Sequence, residues 1–89
     1  MPKSYVVAVR DNAVGAYLQP TPCVHTGAAV RSFTDAVRDT ASDFSKHPED
    51  FDLYLLGNFD DESGLFTLPD CEILPVRLVR GVDCVIRSV

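Results

Sequence analysis

The stretch "KHPEDFDLYLLGNFDDESG", residues 46–64, decides how the rest of the chain is read. It sets six carboxylates around a run of apolar residues, so it is either an acidic metal or active site or a strand with its turns. The core of the stretch alternates. Phe51, Leu53, Leu55 and Phe59 fall on one face and Asp52, Tyr54 and Asn58 on the other, which is the pattern of a strand with one buried side. Pro48 suits the first position of a short helical turn, because its missing N–H would lack an intrahelical partner there. Glu49 and Asp50 suit the positive end of the same turn. "DDESG" reads as a tight turn, with Gly64 free to take positive φ, and "LFTL" returns as the partner strand.

A calcium loop needs oxygen ligands at regular spacing and a late bidentate Glu. Asp60, Asp61 and Glu62 are consecutive, so their side chains diverge. A sugar-cleaving pair from Asp52 and Asp60 has nothing in the sequence to place it about a substrate. The acidic band therefore reads as solvated turn and strand-edge residues.

Outward from this segment, "SYVVAVR" (residues 4–10) is β-branched and aromatic, as strands are. With "AVGAYL" it predicts a strand pair over residues 4–19, closed by prolines 20 and 22, which open an extended loop. Thr26 is placed to cap a helix over residues 27–40. Ala29, Val30, Phe33, Ala36 and Val37 form its apolar stripe, with Arg31, Thr34, Asp35 and Arg38 opposite. Arg31 and Asp35 have the i, i+4 spacing of an exposed ion pair, worth only about 0.3–0.5 kcal/mol. A polar linker follows. "EILPVRLVRG" and "VDCVIRSV" are two further candidate strands, with Pro75 at an edge or break. The fold class expected is α+β: one domain over residues 1–89, a meander-rich antiparallel sheet of about four to six strands, and one main helix on a face. So small a sheet leaves an edge open, which favours homodimerisation strand to strand.

The 89 residues are 46% hydrophobic and 24% charged, the composition of a folded soluble domain rather than a disordered one. No apolar run reaches the roughly 18 residues of a membrane helix, and the N-terminus lacks the h-region of a signal peptide, so the expected place is the cytoplasm. The net charge of −5 is uneven. Residues 1–40 carry four cations and three anions, residues 41–74 carry Lys46 against nine anions, and residues 75–89 carry Arg77, Arg80 and Arg87 against Asp83. An acidic middle disfavours broad binding to phosphate but leaves one basic face open.

Cys23, Cys71 and Cys84 are odd in number and contain no CxxC pair, so they read as small buried thiols rather than a disulfide framework. Cys23 and His25 are the only close thiol–imidazole pair. Zinc would need four ligands, and only His47 remains as another imidazole, so no metal or cofactor is expected. A Cys–His nucleophile is disfavoured by its place in a loop after Pro22. His47 reads as a helix-entry residue. The five glycines form no phosphate-cradling cluster, which argues against a nucleotide enzyme. Tyr5, Tyr17 and Tyr54 lie on predicted strands, where rings either pack against the sheet or offer a stacking surface for bases.

"AVRDNAVGAYLQP", "GAAVRSFTDAVRD", "FSKHPEDFDLYLLGNFDDESG" and "LVRGVD" occur in that order from about Val6 to Val85. Together, and most specifically through Ala29, Arg31 and Phe33 and the 46–64 segment, they resemble the small nonstructural protein of gokushovirus-type microviruses, phages with single-stranded DNA genomes. The resemblance implies a nonenzymatic accessory protein in the cytoplasm of the infected bacterium and absent from the mature virion. It also implies a role in genome replication or packaging, with single-stranded DNA or viral or host replication and packaging proteins as partners. It brings no catalytic residues. The candidate contact residues are Arg77, Arg80, Arg87, Arg31 and Tyr54. A homodimeric protein–protein adaptor without nucleic-acid affinity is the competing expectation, and the acidic net charge favours it.

Overall fold

The computed structural model describes residues 3–67 and 75–85. Its elements are β1 (Lys3–Asp11), β2 (Ala16–Tyr17), β3 (Thr21–Cys23), α1 (Thr26–Arg38), α2 (Asp43–Lys46), β4 (Phe51–Asp60), β5 (Leu65–Thr67) and β6 (Val76–Arg80). Two 3₁₀ turns, Pro48–Asp50 and Gly81–Cys84, complete it. All six strands belong to one antiparallel open sheet, so the α+β expectation holds. Two long strands, β1 and β4, lie side by side at its centre. β2 and β3 share the far side of β1, and β5 and β6 share the far side of β4. β2 and β3 are one returning segment broken in two, and β5 and β6 run in the same direction along β4.

Two turns reverse the chain by the same device. Asp11 Oδ1 accepts from the Ala13 N–H at 3.0 Å and the Asp11 carbonyl accepts from Gly15 N–H at 2.8 Å. Asp60 Oδ1 accepts from Glu62 N–H at 3.0 Å and its carbonyl from Gly64 N–H at 2.8 Å. Gly15 and Gly64 hold the two positive φ values among the described residues, +79° and +76°. Both are Asp-x-x-x-Gly loops in which the carboxylate organises the backbone. The acidic stretch 60–62 therefore has a turn to build.

α1 lays Ala29, Phe33 and Val37 onto the sheet, where they meet Val7, Phe51, Leu53, Leu55 and Cys84. β1 gives this covered face Tyr5, Val7 and Val9, and leaves Ser4, Val6, Ala8 and Arg10 on the opposite face. The 3₁₀ turn Gly81–Cys84 tucks under α1. Arg38 Nε donates to the Cys84 carbonyl at 2.9 Å, and Cys84 Sγ lies 3.4 Å from Thr34 Oγ1.

Several local expectations are corrected. The helix spans Thr26–Arg38 rather than 27–40; His25 is its N-cap residue, and Thr26 is already helical. Arg31 and Asp35 form no ion pair among the described residues. The supposed loop at prolines 20 and 22 contains β3, where Pro22 is tolerated because the strand is an edge. The supposed linker holds α2, capped by Ser42, whose hydroxyl accepts from Ser45 N–H at 3.1 Å; Phe44 of that turn packs on Phe51 at 4.7 Å between ring centroids. The Pro48 turn forms as expected. The last candidate strand is 3₁₀ over Gly81–Cys84, and residues 86–89 lie outside the described residues.

The largest correction is in β4. Val6 pairs with Gly57 but Val7 pairs with Leu55, so Leu56 is an extra residue. Such a bulge shifts the alternation by one. Phe59 thereby joins the face of Tyr54, and Asn58 turns to the covered side, 9% exposed, with its Oδ1 unmatched among the described residues.

Candidate nucleic-acid interface

The face not covered by α1 carries the remaining chemistry. Strand register places its side chains, because directly opposed residues of an antiparallel pair point the same way. One row across the sheet is Tyr17, Arg10, Asp52 and Arg80; the next holds Ala8, Tyr54 and Arg77. Ala8 is small and 3% exposed. Across it the Tyr17 and Tyr54 rings meet edge to face with centroids 5.6 Å apart. The Arg10 guanidinium stands 5.3 Å from the centre of the Tyr17 ring, a cation–π arrangement.

Arg77 and Arg80 reach the same face only through a second irregularity. Strict alternation would put residues three apart on opposite sides. Leu53 pairs with Val79 and Tyr54 with Arg77, so Leu78 is bulged out, and both arginines face the open side.

Asp52 anchors this surface from below. It is 8% exposed, and its Oδ2 accepts from Asn12 Nδ2 at 3.1 Å while Oδ1 accepts from Gly81 N–H at 3.4 Å. Asn12 Oδ1 in turn accepts from Arg10 Nε at 3.0 Å. This chain of bonds fixes Arg10 over Tyr17. It also explains a glycine: a Cβ on Gly81 would collide with the Pro48 and Phe51 carbonyl oxygens. The "RDN", "HPEDFD" and "RGVD" pieces of the sequence meet at this one point.

The cations differ in availability. Arg80 donates to Asp83 through Nε and Nη2, both at 3.1 Å, and that hydrogen bond raises its pKa further. Arg77 is exposed and has no ion pair or side-chain hydrogen bond among the described residues. On this face Arg10 and Arg77 are therefore the guanidiniums without a carboxylate partner among the described residues. Of the residues singled out beforehand, Tyr54, Arg77 and Arg80 come together. Arg31 does not, since it lies exposed on α1 in the other layer, and Arg87 lies outside the described residues. Tyr17, read from sequence as one of three rings able to stack on bases, joins the group, and so does Arg10, which was not among the candidate contacts. The signal for Arg10 was the even-numbered series Ser4, Val6, Ala8, Arg10, one face of one strand.

Other candidate chemistry is weaker. Burial raises the Cys23 thiol's pKa, which lowers its thiolate fraction, and His25 stands exposed at the helix entry. His47, Glu49 and Asp50 offer ligand atoms within 4.8 Å of one another, but His47 and Glu49 are exposed and the cluster numbers three among the described residues. No helix among the described residues is long and apolar enough to cross a membrane.

A family model described as Phage ORF5 protein matches residues 4–84, nearly the whole chain. No curated protein and no solved structure matches.

Proposed function

The chain belongs to the phage ORF5 family, and from that premise we propose that it is a nonenzymatic accessory protein that binds single-stranded DNA on the open face of its sheet. The observation that carries this reading is Tyr17 and Tyr54 set beside Arg10 and Arg77 on one surface. Aromatic rings stack on bases without regard to sequence, and guanidiniums bind the phosphates between them. The finer assignment, to a gokushovirus-type microvirus and to control of genome replication or packaging in the infected cytoplasm, rests on the sequence resemblance and belongs to the same proposal.

A salt titration tests it. An oligodeoxythymidylate should bind the wild type at low salt, and affinity should fall steeply as salt rises. Arg77→Ala with Arg80→Ala should weaken binding and flatten the salt slope by about 0.7 per lost phosphate contact, with the fold intact. Absence of wild-type binding at low salt would remove the DNA reading.

A second reading has its own observation. Leu65 is 61% and Phe66 73% exposed on the short strand β5, which suits a protein partner, and the net charge of −5 disfavours DNA. In that case the protein is a homodimeric adaptor paired through a sheet edge. Analytical ultracentrifugation of the Phe66→Ala variant separates the two readings.

A further inference from the structure

The open face does not end at the tyrosines. Past the Leu56 bulge it runs into an apolar groove of about 280 Å³ lined by Val6, Pro20, Thr21, Pro22, Phe59 and Phe66. Val6 lies on the β1 face that carries Ala8 and Arg10, so groove and tyrosine pair share one surface. Phe59 and Phe66 are 5.1 Å apart between ring centroids, and Phe66 presents most of its ring to solvent. Among the described residues no charged side chain lines the groove; the open guanidiniums sit at the other end, around Tyr17 and Tyr54.

We propose that this groove seats an unpaired base of the same strand whose backbone lies against Arg10 and Arg77. The inference rests on the DNA-binding reading and gives it a second stacking subsite. The surface calls for an occupant that is anionic at one end and carries flat apolar groups along its length. A single strand meets both demands, because its phosphates answer the arginines and its exposed bases answer the rings. A duplex does not, because its base faces are stacked on one another. Tyr54 and Phe59 are five residues apart on β4, roughly 13–16 Å at the rise of a strand. That span exceeds the roughly 3.4 Å rise of one stacked nucleotide, so the two ring sites would take separate bases of one strand.

Stacking and charge respond differently to salt, which makes the subsite measurable. The probe is an oligodeoxythymidylate carrying one 2-aminopurine, with a duplex of equal length as control. Phe66→Ala and Phe66→Leu alter an exposed ring, so both should fold, checked by melting temperature. Each should weaken binding roughly 5-fold or more with the salt slope unchanged, and should remove part of the 2-aminopurine quenching seen with wild type. Arg77→Ala should instead make the slope shallower. If wild type binds the oligonucleotide and Phe66→Ala binds equally well, the groove holds no base, while the DNA reading stands. If wild type does not bind, both fall together. If Phe66→Ala breaks a wild-type dimer and leaves oligonucleotide affinity unchanged, the groove belongs to a second copy and the inference is overturned.

Discussion

The two faces of this sheet are made from alternate residues of the same strands, yet they are built for opposite ends. The covered face takes Val7, Leu53 and Leu55, each under 8% exposed, and closes them against Phe33 and Val37 of α1. The open face takes Arg10, Tyr54 and Arg77, and no helix of the described residues lies over it. Burial drives the first, because each apolar side chain removed from water contributes about 1.5–3 kcal/mol. The second contributes little by burial and holds its shape through edge contacts and the Asn12–Asp52–Gly81 bonds. The bulge at Leu56 marks where the accounting changes, since beyond it a phenylalanine faces outward and an asparagine inward. The difference teaches that sheet faces here are set by register as much as by residue type.

Substitutions on the covered face should therefore cost stability, and on the proposed function those on the open face should cost ligand. Phe33→Ala is the most severe test. Phe33 is 4% exposed, and its loss should cost about 3–5 kcal/mol, much of the stability of a small domain. Urea unfolding measures it, and an unchanged midpoint would break the division of faces. Gly81→Ala comes next. Its new methyl meets backbone carbonyls rather than a movable side chain, so it should cost about 1–3 kcal/mol and disturb the Arg10 network as well. A variant with wild-type melting temperature would show that the 3₁₀ turn has room to shift. The smallest effect is expected from Asp60→Asn, Asp61→Asn and Glu62→Gln together. Asn retains the side-chain oxygen that accepts from residue 62, so the change should stay within about 0.5 kcal/mol. Melting temperature should not respond to calcium or magnesium; a clear rise in the wild type on adding either would assign that turn to a cation.

Much of this was readable in the residues. The α1 stripe at helical spacing, the Asp-x-x-x-Gly turn at Gly64 and the β-branched run of β1 each follow from one local rule, and each is where it was expected. What escaped depends on register. Leu55, Leu56 and Gly57 look like continuing strand, and only the pairing with β1 shows that Leu56 is extra. A glycine inside a strand was the one hint of a bulge. Arg77 and Arg80 read as opposed until the pairing with β4 exposes the bulge at Leu78. Four-residue α2 was hidden for a different reason: it is too short to show a period, and only its Ser42 cap and the half-buried ring of Phe44 mark it. The candidate surface was half legible, since Tyr54, Arg77 and Arg80 were named from sequence, whereas Arg10 over Tyr17 needed the sheet to assemble.

The division of faces is tested most directly by NMR of the labelled protein titrated with an oligodeoxythymidylate at low salt. The Tyr17 and Tyr54 ring protons should move upfield together, as stacking on bases requires, with amide shifts along Arg10 and Arg77, while the Phe33 ring and the α1 amides around Arg31 stay in place. Shifts centred on Arg31 and the helix, or rings of Tyr17 and Tyr54 unmoved at saturation, would contradict the account.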